Sequence, residues 1–264
     1  MPTLSAAIVV YNGAEEALAA AASVLLYTRK YPLNLYLIDN ASPDGSGKKM
    51  QELVQAGALC CGPQQKIQVI CSPANRGFGS GHNLVLDKID SDYHFILNPD
   101  ILVHDDILSH MADWMEQHPQ AVMARPSLKF PDGQMQVLPL RRCSALALVY
   151  RQMNWLFFLK GFNDHYVMAD EDLFQPTEIE FCTGSFAMLR TAVFKEIGGF
   201  DEGYFMYVED ADLTQKALQK GKVYLLPQFT ATHYWHRAAH DNFRYFRMQT
   251  RSMLRYFKKW GFRL

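Results

Sequence analysis

The chain has 264 residues, 49% of them hydrophobic and 20% charged, which supplies a sizeable core and excludes an intrinsically disordered chain. A net charge of −1 excludes a molecule built as a whole to bind polyanions, so no nucleic-acid partner is expected. The charge is uneven: from residue 240 onward seven Lys and Arg stand against one acid, Asp241, a tail of +6 on a body of −7, which points to a local anionic partner.

The first apolar run, LSAAIVVYN, is closed by polar residues and predicts a buried strand, and the Ala-rich AEEALAAAASVLLYT has helical spacing. NLYLIDNASPDGS reads as a second strand ending in a turn cluster, KKMQELVQAGA as a helix and KIQVICSPANRG as a third strand. GSGHNLVLDKI predicts a helix opened by glycines, and YHFILNPD a fourth strand. Strands alternating with helices imply a parallel, three-layer α/β sheet. Beyond residue 120 the pattern changes. DGQMQVLPL reads as an edge strand, residues 141–175 as helical and irregular structure, and IEFCTGSFAMLRTAVFKEIGGFD as strand, helix and a Gly-Gly stop. VEDADLTQKALQKG, acidic at its start and with Gly221 as C-cap, predicts a helix. KVYLLP is a further strand, and the last 25 residues predict one amphipathic basic helix. No Pro-, Ser- or Gly-rich linker divides the chain, so one domain over 1–239 is expected, with 240–264 as a helical appendage. The five cysteines (60, 61, 71, 143 and 182) form no C-x-x-C pair, and the N-terminus lacks a charged segment followed by an apolar one; both fit a reducing cytoplasm. No uninterrupted apolar run reaches the roughly 18 residues of a membrane span.

In open parallel sheets ligands gather beyond the carboxyl ends of the strands. Four polar clusters fall there: Tyr11-Asn12, Asp39-Asn40, Asn75-Arg76-Gly77 and Asn98-Pro99-Asp100. Asp39 is placed to accept from a nucleobase N–H or a ribose hydroxyl, or else shapes the turn in DNASPDG. Gly77, Gly79 and Gly81 suit a backbone that approaches a phosphate at a helix N-terminus, or a tight turn. A dinucleotide fingerprint would follow the first strand rather than the third, which argues against a Rossmann dehydrogenase. Asp100 is the candidate ligand for Mg²⁺ or Mn²⁺, ions that take one or two carboxylates plus phosphate oxygens. Asn98 would orient a ligand or water, or belong with Asp100 to an Asx-Pro turn. Glu209, Asp210 and Asp212 open a predicted helix, either as general-base candidates or as acids favoured by the helix dipole. His233 follows a strand and is a candidate metal ligand; His236 and His240 read as surface or core residues, and the H-x-x-H spacing lacks the Glu of zinc proteases.

Taken in order, IVVYNG, LIDNASPDGS, NRGFGSGHN, LNPD, GSFAML…VFKEIGGFDEGYFMYVEDADL and THYWH resemble the motifs of inverting glycosyltransferases of family 2, closest to the bacterial rhamnosyltransferase-like members, over residues 4 to 260. The resemblance implies a GT-A fold, a Rossmann-like and mostly parallel central sheet flanked by helices. It implies a dTDP- or UDP-sugar donor, Mg²⁺ or Mn²⁺, and a glycan or polyprenyl-linked glycan acceptor in cell-surface polysaccharide synthesis. Carried over residue by residue, Asp39 contacts the base, Tyr11 and Asn12 flank the nucleotide, and Asn75 and Gly77 lie over ribose and sugar. Asn98-Pro99-Asp100 stands at the family's D-x-D-type element, with Asp100 as the metal-binding acid and Asn98 in place of the first acid. Asp210 is the catalytic base with Glu209 beside it, and His233 the late metal ligand, although YWHRAAH departs from the Gly-rich run usual in relatives. Two other classes are open. A sugar-nucleotide nucleotidyltransferase would carry a Gly-rich, basic loop after the first strand, where VVYNGAEEA has acids; a non-catalytic sugar-nucleotide-binding protein would have no use for both Asp100 and Asp210. In the tail, Phe243, Phe246, Thr250, Met253, Leu254 and Phe257 recur at helical spacing beside Arg244, Arg247, Arg251, Arg255 and Lys258. That pattern fits either a helix at an anionic membrane surface, on the inner face of the cell membrane, or one packed on the body.

Overall fold

The strand β1 (Leu4–Val10) is buried along its whole length, as a strand covered on both faces must be. The computed structural model of the chain describes residues 1–59, 61–152, 155–235 and 243–262. β2 (Leu33–Asp39), β3 (Gln65–Cys71) and β4 (Tyr93–Leu97) join β1 in the order β3-β2-β1-β4, all parallel. The crossovers are α1 (Ala14–Tyr27), α2 (Ser46–Gln55) and the short α3 (Phe78–Asn83). α1 sits close to the sheet because Ala17, Ala20 and Ala21 lie on its buried face with Val24 and Leu25. Successive residues of β1 supply opposite cores: Leu4, Ala6, Ile8 and Val10 on one side, Ala7 and Val9 on the other. This is the three-layer arrangement predicted from the alternating pattern.

Beyond β4 the expectation of a parallel sheet needs correction. After β5 (Ile101–Leu102), α4 (Ile107–Gln117) and β6 (Ala121–Lys129), the chain makes an excursion through α5 (Ala145–Gln152), a 3-10 turn (Phe157–Leu159), α6 (Lys160–Tyr166) and β7 (Thr177–Glu178). It re-enters beside the carboxyl end of β4, where Asn98 N–H donates to Ser185 O at 2.9 Å. The next strand, β8 (Phe186–Arg190), must therefore run backwards, antiparallel to β4. α7 (Thr191–Glu196), α8 (Glu209–Leu218) and β9 (Lys222–His233) follow. The sheet continues β8-β6-β9-β5, with β7 also on β9; β6 pairs with β9 in parallel, whereas β5, β7 and β8 make antiparallel pairs. A third cluster, with Ala147, Tyr166, Phe181, Tyr204, Ala211 and Tyr256, forms where α5, α6, α8 and the terminal helix α9 (Phe243–Trp260) meet.

Three local expectations also change. DGQMQVLPL forms no strand: a single bridge joins Lys129 to Met135, and β9 is already paired on both sides. Gly221 is not a left-handed cap; a Cβ there would meet Val122 Cγ1 at 2.5 Å and Gln120 O at 2.8 Å, so close approach of β6 requires the glycine. The helix predicted over 79–89 stops at Asn83 and continues as turns. Cys71, Cys143 and Cys182 are free thiols. Among the described residues no helix is long and apolar enough to cross a membrane. The expected domain boundary at 239/240, His236 and His240 lie outside the described residues.

Candidate active site

Parallel register sets the first part of the site. Val10 lies opposite Asp39, Asp39 opposite Cys71, and Ile8 opposite Leu97, so the ends of β1, β2, β3 and β4 open on one edge. The turns beyond them are tied together. Asn40 N–H donates to Val10 O at 2.8 Å, and its Nδ2 donates to Asn75 Oδ1 and Gly77 O, both at 3.0 Å. Asp39 is buried and accepts from Ser42 N–H at 3.2 Å, so it shapes its own turn. Its second neighbour is Gly47, where a Cβ would lie 2.5 Å from Asp39 Oδ2. Tyr11 is half exposed at the rim. The N–H groups of Asn12 and Gly13 are taken by Ser42 Oγ at 2.9 Å and Asp44 Oδ2 at 3.1 Å. The loop after β1 therefore offers neither of those N–H groups to a phosphate, which removes the feature a nucleotidyltransferase would need there.

The glycines after β3 serve the protein's own packing. A Cβ at Gly77, whose φ is +100°, would sit 2.0 Å from Phe205 O; at Gly79, 2.7 Å from Phe200 Cβ; at Gly81, 2.7 Å from Val9 Cγ1. The room they leave is filled by the protein itself: Gly77 lets the 201–208 loop close over the Asn75–Phe78 turn, where Phe78 N–H donates to Phe205 O at 3.2 Å, Gly79 admits Phe200 and Gly81 admits Val9.

The second part of the site comes from the antiparallel half. α8 starts on Glu209 after two residues with positive φ, Tyr207 (71°) and Val208 (69°), a conformation costly for non-glycine residues and found where surroundings enforce it. Asp210 Oδ2 accepts from Gly184 N–H at 3.0 Å and Oδ1 from its neighbour Ala211 N–H at 2.8 Å. The next residue, Ser185, holds Asn98 through its carbonyl. One dipeptide, Gly184-Ser185, thus fixes the α8 acid relative to the tip of β4. Burial pushes the carboxyls of Glu209 and Asp210 up, and the charge of Asp210 adds to the shift on Glu209. The Gly184 and Ala211 donors and the buried Arg125 guanidinium oppose the rise at Asp210. Glu209 is 7% exposed, and its Oε2 has no partner. Asp210, with two N–H donors and Arg125 beside it, is the better stabilised carboxylate of the pair. Arg125 donates from Nη1 to Thr183 Oγ1 at 2.9 Å; burial lowers its pKa to about 10, which leaves it cationic at neutral pH.

Pairing of β5 with β9 sets Ile101 opposite His233 and brings Asp100 and His233 together across 133 positions of chain. Asp100 Oδ1 lies 3.4 Å from His233 Nε2, with the two side chains 12% and 6% exposed. Behind the ring, Gln136 Oε1 lies 2.9 Å from His233 Nδ1. An oxygen there requires Nδ1 to carry hydrogen, so in the neutral ring the Nε2 lone pair faces the carboxylate. Two lone pairs converging on one point fit a divalent cation with oxygen and nitrogen ligands. Among the described residues no third His, Cys, Asp or Glu joins them, which leaves the remaining positions to water and phosphate oxygens. The structure links the expected residues in three local sets: Asn40 bonds Asn75 and Gly77 beside Asp39, Gly184-Ser185 joins Asp210 to Asn98, and Asp100 meets His233, while Tyr11 is half exposed. Gln136 and Arg125 lie outside the quoted motifs, and although Gly184-Ser185 opens the GSFAML motif, its bonds to Asp210 and Asn98 are visible only in the fold.

A family model described as "Glycosyl transferase family 2" matches residues 5–198. The chain is 30% identical to rhamnosyltransferase WbbL of Escherichia coli (strain K12) over 193 residues, 68% of this chain and 69% of that protein. It is 25% identical over 213 residues to the N-acetylglucosaminyl-diphospho-decaprenol L-rhamnosyltransferase of Mycobacterium tuberculosis (strain ATCC 25618 / H37Rv), 76% of this chain and 65% of that one. Among solved structures, GalNAc-T7 with UDP, GalNAc and Mn²⁺ superposes with a TM-score of 0.69 at 14% identity, covering 98% of this chain and 48% of its own. The mannosyltransferase PcManGT from Pyrobaculum calidifontis, with GDP-Man and Mn²⁺, gives 0.64 at 14% identity, covering 98% and 64%. At that identity the structures establish a shared fold, the GT-A fold expected from the ordered motifs. The chain spans about half of GalNAc-T7 and somewhat under two thirds of the other two proteins whose shares are 64% and 65%.

Proposed function

The chain belongs to glycosyl transferase family 2 and is a glycosyltransferase of polysaccharide synthesis; from that premise we propose that it moves rhamnose or a similar sugar from a dTDP- or UDP-linked donor to a hydroxyl of a glycan or polyprenyl-linked glycan, inverting the anomeric centre. The observation that carries this reading is the Gly184-Ser185 bridge, which sets Asp210 across from the Asn98–Asp100 tip. In the proposed reaction Asp210 takes the proton of the acceptor hydroxyl while that oxygen bonds to the anomeric carbon and the bond to the nucleotide diphosphate breaks. One attack inverts the centre, and no protein nucleophile is required. Asp39 and Asn75 hold the nucleoside, and Asn98 orients the sugar–diphosphate end. Asp100 and His233 would hold Mg²⁺ or Mn²⁺, which supplies compensation for the charge gathering on the diphosphate. The names of the relatives support the donor and acceptor assignments: two are rhamnosyltransferases, and one acts on a diphospho-decaprenol-linked sugar.

Donor consumption with a sugar linked to a short polyprenyl diphosphate as acceptor, measured for the wild type and Asp210→Asn, tests the reading. General-base loss should lower kcat by about 10²–10⁴-fold with the donor KM little changed. Because burial raises Asp210, the acid side of the wild-type pH profile should begin above the ordinary carboxylate range near pH 4. Equal, slow donor turnover in both proteins would favour a non-catalytic sugar-nucleotide-binding role. Thermal shift across a panel of dTDP- and UDP-sugars with and without Mn²⁺ identifies the donor, since a ligand that binds only the folded state raises its stability.

A further inference from the structure

Gln136 is 7% exposed and lies in a segment without regular structure, yet its amide is fixed at both ends. Its own N–H donates to Leu128 O at 2.8 Å. Its side-chain Nε2 donates to the main-chain carbonyl of His233 at 2.8 Å, and its Oε1 lies 2.9 Å from Nδ1 of the same residue. The first side-chain bond determines the second. A flipped amide would set Oε1 against the His233 carbonyl oxygen and its NH₂ against the ring, losing the donor–acceptor match at the carbonyl. Only one orientation satisfies that carbonyl, and in it the ring nitrogen beside Gln136 must be the donor. The imidazole is then restricted to one neutral tautomer, with its Nε2 lone pair 3.4 Å from Asp100 Oδ1. Trp235, with its ring 6.1 Å from that of His233 and near-parallel to it, restricts the tilt of the imidazole plane.

We propose that Gln136 is a positioning residue that locks His233 as the Nδ1–H tautomer and so prepares the Asp100–His233 pair for a divalent cation. The proposal rests on the metal-site reading given above. Side chains of this kind, one shell behind the ligands, orient the ring and fix which nitrogen is free, and their loss typically costs about 10–100-fold in metal affinity. The alternative is a purely structural clamp that ties residues 130–140 to β9. The two differ in what they ask of the side chain: the lock needs an acceptor at Nδ1, whereas the clamp is satisfied by the donor to the carbonyl.

The test uses the full chain and three readouts. Two-bond ¹H–¹⁵N spectra of selectively ¹⁵N-histidine-labelled, metal-free protein should show His233 as a single Nδ1–H tautomer in the wild type and as a mixture in Gln136→Met. Mn²⁺ titration followed by electron paramagnetic resonance should give a Kd raised about 10–100-fold in Gln136→Met. Gln136→Glu, which keeps the acceptor and loses the donor, should bind Mn²⁺ more tightly than Gln136→Met. Far-ultraviolet circular dichroism establishes that each variant is folded. A dominant Nε2–H tautomer in the wild type would overturn the proposal. So would wild-type Mn²⁺ affinity in Gln136→Met alongside losses in Asp100→Asn and His233→Ala. Unchanged Mn²⁺ binding in Asp100→Asn and His233→Ala would instead remove the metal site itself, and the purpose assigned to Gln136 with it.

Discussion

His94 and His82 are fully buried histidines that take no part in the proposed chemistry. His94 Nδ1 lies 2.8 Å from Ser5 Oγ and its ring stacks on Phe194; among the described residues its Nε2 and both nitrogens of His82 have no hydrogen-bond partner. Burial lowers the His94 pKa to about 3 and that of His82 well below the usual histidine range. Both are therefore neutral when folded, while the unfolded chain protonates them near pH 6.5. The unfolded state thus binds more protons at every pH between about 6.5 and 3, so their contribution to stability is complete above pH 6.5 and is lost as pH falls through that window, by up to about 1.4 kcal/mol per unit for each ring. Glu209 and Asp210, with raised pKa values, act with the opposite sign, so the measurement is a difference: urea unfolding of wild type and His94→Asn from pH 6.5 to 4.5. The wild type should lose stability more steeply; parallel curves would refute the assignment. These histidines carried no sequence signal, because what marks them is burial. Asp39, Asp100, Asp210 and His233 were legible for the opposite reason: each closes or opens a patterned element, and a polar residue there is visible without coordinates. Gln136 was not, since its partner lies 97 positions away; Gly184 stood in the GSFAML motif, but its bond to Asp210, 26 positions away, did not show. The glycines of NRGFGSGHN were legible as positions without room for a Cβ, but only the fold shows that protein fills the space.

Among the elements, α9 changes meaning most. Its hydrophobic spacing left a membrane helix and a packed helix equally open, and the described part packs. Tyr256 is 1% exposed in the cluster with Tyr204 and Ala211, and Ser252 Oγ donates to Met206 O at 2.9 Å. Trp260 Nε1 and Lys259 Nζ reach the fully buried Asp212 at 2.7 and 2.9 Å, two residues beyond the proposed base. Arg255 meets Asp201 at 2.8 Å, and the guanidinium of Arg142 donates to the Trp260 carbonyl. α9 therefore braces both the first turn of α8 and the loop that closes over Gly77. Tyr256→Ala should cost about 3–5 kcal/mol, as large-to-small changes in cores do, equivalent to roughly 6–20 °C in Tm for a chain of this size. In the temperature range where the variant is still folded, kcat should fall more than the donor KM rises, because the base shifts while the nucleoside side is untouched. An unchanged Tm would refute the brace. The strands of the first half were readable from alternation of apolar runs and turn clusters. The reversal of β8 was not, because strand direction there is set by where the excursion through α5 and α6 returns, which no local pattern encodes.

For the molecule as a whole, the brace alters how the basic tail must be tested. Removing residues from 240 onward would take away Tyr256, Lys259 and Trp260 with the charges, so loss of membrane binding by such a protein would report on folding as much as on electrostatics. The two roles separate by position. Arg255 and Lys259 are committed to Asp201 and Asp212, whereas Arg247, Arg251 and Lys258 are exposed. The excursion, whose α5 and α6 share the Ala147–Tyr166–Tyr256 cluster with this helix, exposes Trp155 (68%), Phe157 (81%) and Phe158 (68%), with Arg151 exposed and no acid between residues 145 and 163. Exposed aromatics and exposed cations suit the interfacial region of an anionic bilayer, where a polyprenyl-linked acceptor of the kind proposed would be presented. Each Lys or Arg near such a surface is worth about 1 kcal/mol. Reversing all three in Arg247→Glu, Arg251→Glu and Lys258→Glu should therefore weaken flotation with phosphatidylglycerol vesicles by at least about 3 kcal/mol, roughly 150-fold, while Tm stays near the wild type. Raising salt should produce the same loss in the wild type, because exposed charges are screened beyond about 10 Å at 0.1 M. Trp155→Ser with Phe157→Ser should weaken binding to neutral and anionic vesicles alike, since it removes apolar burial rather than charge. Wild-type flotation by the charge-reversed protein, with its stability intact, would leave α9 as a brace alone and place the acceptor's approach elsewhere on the molecule.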